Sequence, residues 1–130
     1  MLKHYNIAAV LTDSPKPDRL QFLSEPIVTA THSFIRWHGR VTKPRYNYLY
    51  SRDELSPWVD KVKRISLETP VVRGYFNNHY GARAVVNAIE FKEMLGNQLS
   101  EKEKVIKETA RNFFFESARQ STLDNVFKTC

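Results

Sequence analysis

Three short apolar runs constrain what this chain can fold into. They are Ile7–Leu11, Phe34–His38 and Val71–Phe76, each only strand-length. Ile7–Leu11 runs into the Pro-rich turn Thr12–Asp18, and the other two run into polar residues followed by helical patterning. Buried-type strands separated by helices point to βαβ units and a parallel sheet, so the expected fold class is α/β. Between the firm elements, Met1–Asn6 reads as the end of a helix, Asp18–Leu23 as a helical turn and Ile27–Ala30 as a short extended piece.

Helix boundaries are written in the caps. Ser51-Arg-Asp-Glu54 spells a capping box, in which hydroxyl and carboxylate satisfy free backbone N–H groups. Leu55, Trp58, Val59, Val62 and Ile65 follow at helical spacing and define a buried stripe. Pro57 fits that helix poorly, so a start at Ser56 with Pro57 in the first turn is the alternative. A second helix is expected from Gly81 to about Leu95, ended by Gly96. Ser100-Glu-Lys-Glu103 opens a third, to about Ser117, with Ile106, Ala110 and Phe113 or Phe114 facing inward. Phe113, Phe114 and Phe115 cannot all share one helix face, so one is expected at the surface or an interface.

The 130 residues, with 42% hydrophobic and 26% charged side chains, suit one folded domain. No apolar run reaches the roughly 18 residues of a membrane span, and the N-terminus lacks a signal-peptide pattern. A cytoplasmic protein is therefore expected. Cys130 is the lone cysteine, so no intramolecular disulfide forms, and the paired ligands of a zinc site are missing. The net charge of +6 is concentrated: Arg36–Arg64 holds eight Lys/Arg against Asp53, Glu54 and Asp60, which is 8 − 3 = +5. Such an excess beside a strand exit suits a phosphate or a nucleic-acid backbone. Lys61, Lys63 and Arg64 are expected on the solvent face of the first helix.

Several motifs occur in order: Arg36-Trp-His38-Gly39, then Tyr46-Asn-Tyr48-Leu-Tyr50, then Phe76-Asn77-Asn78-His79, then Ala84-Val-Val-Asn87-Ala88. Together, and with Thr12-Asp13-Ser14 before them, they resemble the DUF72 family over about residues 1–96. The resemblance implies a TIM barrel, of which this chain would supply about three parallel strands, the sixth to eighth. A closed eight-stranded barrel needs roughly 200 residues or more. The reading is thus a partial TIM barrel over 1–96 and a C-terminal helical extension over 97–130. Unpaired strand edges favour association, either as a homo-oligomer or with a separate N-terminal barrel fragment.

Barrel sites lie at the C-terminal ends of strands. Asp13, His38, Arg40, Asn77, Asn78 and His79 fall at such ends. His38 and Asp13 are the candidate catalytic groups. Arg36 and Arg40 suit a bidentate phosphate clamp. Asn77 and Asn78 offer donors and acceptors, Gly81 permits close backbone approach, and Tyr46 and Tyr48 suit stacking on a base or sugar. His79 belongs to the same rim. Duller readings stand beside these: Arg36 pairs with a carboxylate inside a barrel, Asn77–Asn78 cap the next helix, the tyrosines pack a loop, and Trp37 and Trp58 are core. No metal-binding spacing, nucleophile elbow, P-loop or dinucleotide fingerprint is present, and no motif names a cofactor. The leading expectation is a binder or processor of a phosphate-bearing ligand, nucleic acid or phosphorylated metabolite. The alternatives are a sugar-directed isomerase, lyase or hydrolase using His38, and an inactive barrel fragment that folds by oligomerisation.

Overall fold

The computed structural model describes residues 1–15 and 24–127, so the helical turn expected at Asp18–Leu23 and the thiol of Cys130 lie outside the described residues. Three strands, β1 (Val10–Asp13), β2 (His32–Trp37) and β3 (Val71–Phe76), form one sheet in the order β1-β2-β3. Both pairings are parallel, with Val10 level with Phe34 and Phe34 level with Arg73. Among the described residues there are three α-helices: α1 (Arg52–Glu68), α2 (Arg83–Met94) and α3 (Glu101–Phe127).

β1 begins three residues later than Ile7. Its expected first half is tied down by a side chain instead: Thr29 Oγ1 accepts from the Ala9 N–H at 2.7 Å and donates to the Ile7 carbonyl at 2.8 Å. Asn6 likewise accepts from the Thr31 N–H at 2.8 Å. These bonds replace a strand ladder, so the expected extended piece at Ile27–Ala30 pairs with no strand of the sheet. Met1–Asn6 carries a single 3-10 turn at Lys3–Tyr5.

Ser51 settles the start of α1. Its hydroxyl accepts from the Glu54 N–H while the Glu54 carboxylate accepts from the Ser51 N–H, and Pro57 lies inside the helix. Leu55, Trp58, Val59 and Ile65 are buried as the stripe predicts, with Val62 packed beside them. α2 ends in a Schellman arrangement: Gly96 (φ 88°) donates to Glu93 O at 2.9 Å and Asn97 donates to Lys92 O at 3.2 Å.

The helices cover one face of the sheet. Leu11, Ile35 and Trp37 point into that core, and Trp37 stacks on Phe76 (4.5 Å between centroids) and meets Trp58 edge-on at 5.4 Å. Gly74 makes this possible, since a Cβ there would stand 2.8 Å from the Trp37 ring.

α3 departs from expectation in length and facing. It runs to Phe127 and Ile106 is 37% exposed, whereas Ala110 and Phe114 are half-buried as expected and Phe113, at 58% exposed, is the phenylalanine left at the surface. The reason is the chemistry of its contact with α2, which is built from ion pairs: Lys92–Glu103 at 2.7 Å, Lys107–Glu93 at 3.0 Å and Arg111–Glu90. That polar seam turns Ile106 outward. Lys61 is also drawn in from the solvent face, donating to Ser24 O at 2.7 Å and lying over the Trp58 ring.

Candidate functional site at the strand ends

Three parallel strands deliver their C-terminal ends to one rim. Two backbone bonds prolong the sheet there: His38 N–H donates to Asp13 O at 2.8 Å, and Asn77 N–H donates to Trp37 O at 2.7 Å. Around this rim the predicted residues sort into three groups.

The first group centres on Asp13, on the helix-covered side of the sheet. Its Oδ1 accepts from Arg40 Nε at 3.1 Å and the Tyr50 hydroxyl at 2.9 Å. Its Oδ2 accepts from Arg40 Nη2 and Trp58 Nε1, both at 2.9 Å. Burial pushes the Asp13 carboxyl up, but the hydrogen bonds from Arg40 and Trp58, the Arg40 charge and Tyr50 together hold it below the usual carboxylate range. Arg40 is spread over two carboxylates, reaching Glu54 Oε1 at 3.2 Å, and Tyr48 donates its hydroxyl to the same Glu54 oxygen. Burial and then the Glu54 bond push the Tyr48 phenol up to about 12. Tyr50 is pushed up further still, by burial and by the Asp13 charge. The Tyr50 oxygen also accepts from the Gly39 N–H at 2.9 Å, which ties the strand exit to the hub. A carboxylate with four donors on it is a structural acceptor, and its arginine is committed.

The second group is amide chemistry. Asn78 and Asn87 are fully buried. Asn78 Nδ2 donates to Tyr48 O at 2.7 Å and to Asn87 Oδ1 at 2.8 Å. Asn87 accepts from the Tyr50 N–H at 3.0 Å and donates to Tyr50 O at 2.9 Å. The pair thus substitutes for a strand partner along Tyr48–Tyr50. Neither asparagine of the Asn77–Asn78 pair caps α2, whose N-cap Ala82 makes no side-chain cap bond.

The third group faces outward at the rim. Arg36 lies on the uncovered sheet face, and its Nε donates to Asn77 Oδ1 at 3.1 Å. Among the described residues no carboxylate stands against it, so the expected carboxylate pairing is replaced by an amide. His79 Nδ1 lies 3.0 Å from Asn77 O. A carbonyl only accepts, so that nitrogen carries the proton. The Tyr46 ring stands 5.5 Å from His79 and 5.9 Å from His38. A groove of about 270 Å³ on the same face is lined by Val10, Phe34, Arg36, Tyr75 and Asn77.

Arg36 and Arg40 therefore do not form one clamp, because Arg36 leaves the open face of β2 toward Asn77 while Arg40, in the loop beyond β2, turns to Asp13 on the helix side. Tyr46, Tyr48 and Tyr50 do not alternate as on a strand either: Tyr46 has φ 68°, and the three go to three different environments. Gly81 (φ 52°) sits in the 3-10 turn Tyr80–Ala82 that precedes α2. Glu54, Tyr50, Trp58 and Asn87 were missing from the sequence-based set. Glu54 had a signal, since a capping-box carboxylate beside an Arg-rich loop has a second oxygen to offer.

A larger groove of about 460 Å³ between Tyr50, Val86 and Phe114 lies on the helix side and holds none of the predicted site residues. No three His, Cys, Asp or Glu side chains converge on a metal-sized site among the described residues. No helix among them is long and apolar enough to cross a membrane.

The family model described as "Protein of unknown function DUF72" matches residues 1–111, running past Gly96 into α3. The chain belongs to the DUF72 family. Its three-stranded parallel sheet and helices superpose on a DUF72 protein of Thermotoga maritima with a TM-score of 0.67 and 34% identity, covering 74% of this chain and 39% of that one. A DUF72 protein of Enterococcus faecalis, solved in two structures, gives TM-scores of 0.68 and 0.65 at 26% and 27% identity. Those superpositions cover 76% and 75% of this chain and 40% of each of those chains. The chain thus spans about 40% of the length of the solved relatives it matches. No curated protein matches it.

Proposed function

We propose that this DUF72 chain is part of a TIM barrel and binds a phosphate-bearing ligand at the C-terminal ends of its strands. The ligand class is a nucleic acid or a phosphorylated metabolite. An all-parallel sheet with helices on one face, in a chain about 40% as long as its relatives, supports the partial barrel.

The observation that carries the ligand reading is Arg36. It is exposed, has no carboxylate partner among the described residues, and is oriented by Asn77, leaving its two Nη groups as a fork for phosphate oxygens. Asn77 links it to His79, and the rings of His79, Tyr46 and His38 continue along the rim as a stacking surface for a base or sugar. Arg40 plays no part in this reading, because Asp13 and Glu54 occupy it.

Calorimetric titration with adenosine monophosphate, ribose 5-phosphate and their unphosphorylated counterparts tests it. The phosphorylated probes are expected to bind at least tenfold more tightly, and Arg36→Ala to remove that preference without lowering the melting temperature. Equal binding of the unphosphorylated probes would overturn the phosphate reading and favour sugar chemistry at His38. For a single-stranded RNA probe, affinity should fall with salt by roughly 0.7 log units per log unit for each phosphate contacted. A flat response would remove nucleic acid from the ligand class.

A further inference from the structure

Beside Arg36 lies the groove of about 270 Å³, which the phosphate contact itself does not fill. Arg36 and Tyr75 are paired directly across β2 and β3, each one residue before its strand ends. One level down lies Phe34, with Val10 beside it on β1. These four and Asn77 line the groove, and no Asp or Glu does. Its polar groups sit together, because the Arg36 guanidinium is bonded to the Asn77 amide. The rest of the lining is apolar or aromatic.

The aromatic wall is built in advance. Three neighbours fix the Phe34 ring. His32 meets it edge-on at 5.5 Å, Arg73 lies over it 5.8 Å from its centroid, and Tyr75 stacks on it at 6.0 Å with 11° between the planes. Tyr75 is nonetheless 49% exposed, so a ring held parallel to its neighbour still offers surface to a ligand. The rim rings differ: Tyr46 stands at 39° to His79 and at 45° to His38, so they share no plane. A flat π-system therefore stacks better in the groove than along the rim.

We propose that the groove seats a nucleobase, with Tyr75 as its stacking face, and that the ligand of Arg36 is a nucleoside phosphate and not a sugar phosphate. This rests on the phosphate reading of Arg36 and names what that phosphate is attached to. Charge and shape are complementary end to end: an anion on the guanidinium fork, and an uncharged aromatic body over Tyr75, Phe34 and Val10. The sugar between them is left to the rim rings. The volume, just under the roughly 300 Å³ at which drug-sized sites begin, suits one base and not several. Every base has a π-face, so the groove selects for the presence of a base more than for its identity. Tyr75 is the specificity-determining side chain.

Calorimetric titration of the full chain compares adenosine monophosphate with ribose 5-phosphate. The nucleotide is expected to bind at least tenfold more tightly. Tyr75→Val should abolish that preference and leave ribose 5-phosphate binding unchanged, while Tyr75→Phe keeps it. Valine is a strand former and Tyr75 is half exposed, so the Val variant should melt as the unaltered chain does. A second measurement needs no variant: the Val10 methyl resonances should shift with adenosine monophosphate and not with ribose 5-phosphate. Equal affinity for the two phosphates, with Val10 unmoved by both, would overturn the groove and leave the phosphate reading standing. A nucleotide preference that survives Tyr75→Val would put the base elsewhere and overturn it as well. Adenosine binding as tightly as its monophosphate would instead overturn the phosphate reading, and the nucleoside phosphate with it. A 5′-phosphorylated adenine trinucleotide separates the two sources of this chemistry. Binding no tighter than the monophosphate assigns a free nucleotide, and tighter binding that Tyr75→Val weakens assigns a strand end.

Discussion

Replacing Asp13 by Asn tests whether the rim is held by its hub. The substitution keeps shape but turns one acceptor oxygen into a donor. Placed at Oδ2, the new amide faces Trp58 Nε1 and Arg40 Nη2; placed at Oδ1, it faces Arg40 Nε and the Tyr50 hydroxyl, which can turn to accept but leaves the guanidinium opposed. Either way, donors meet a donor. The donor left without an acceptor, the Trp58 indole N–H in the first placement and the Arg40 Nε–H in the second, costs about 1–3 kcal/mol. The lost ion pair adds less than a fully buried one would, because the Arg40 side chain is 40% exposed and solvent takes over part of its charge. A total of roughly 3 kcal/mol follows, or about 10 °C in melting temperature for a domain of this size. The pH dependence has a definite sign. Asp13 titrates lower folded than unfolded, so its contribution is complete above the unfolded value of about 3.9 and is lost as pH falls through the folded value. The melting difference between the unaltered chain and Asp13→Asn should be full from pH 6 to 8 and shrink below about pH 4. Calorimetric melts across that range measure it. A variant melting within about 2 °C of the unaltered chain at pH 7 would refute the hub.

Two further substitutions probe the neighbouring contacts. Gly39 has φ 84°, and a Cβ there would stand 2.6 Å from Tyr48 Cβ, so Gly39→Ala combines left-handed strain with a backbone-close clash. A loss of roughly 3 kcal/mol is expected in urea unfolding, and an unchanged midpoint would contradict it. Asn87→Leu removes the acceptor for the Tyr50 N–H and the donor to Tyr50 O inside a buried site. It should cost about 2–4 kcal/mol, and Tyr50 amide exchange should accelerate more than that of the β2 amides. Equal acceleration throughout would mean that the asparagine pair only adds global stability.

The difference between what the sequence disclosed and what it concealed is a difference in range. The capping boxes at Ser51 and Ser100, the stripe from Leu55 to Ile65 and the Gly96 stop are contacts within a few residues, so spacing alone carries them. The parallel pairing of β2 with β3 also follows from local patterning, because a helix-length pattern separates Phe34–His38 from Val71–Phe76. The rim is different. Asp13 reaches Arg40 across 27 positions and Trp58 across 45, and nothing in either neighbourhood announces the pairing. β1 starts late because the Thr29 hydroxyl and the Asn6 side chain satisfy the segment before it, and the register that pairs Leu11 with Ile35 and Asp13 with Trp37 puts Asp13 on the helix side. Once Asp13 lies on the helix side it captures Arg40, and the paired-arginine clamp that the spacing suggests dissolves. What remains on the open side is Arg36 with Asn77. Of the two arginines that looked alike in the sequence, only Arg36 therefore keeps its guanidinium fork open, and the phosphate proposal stands or falls on that one side chain.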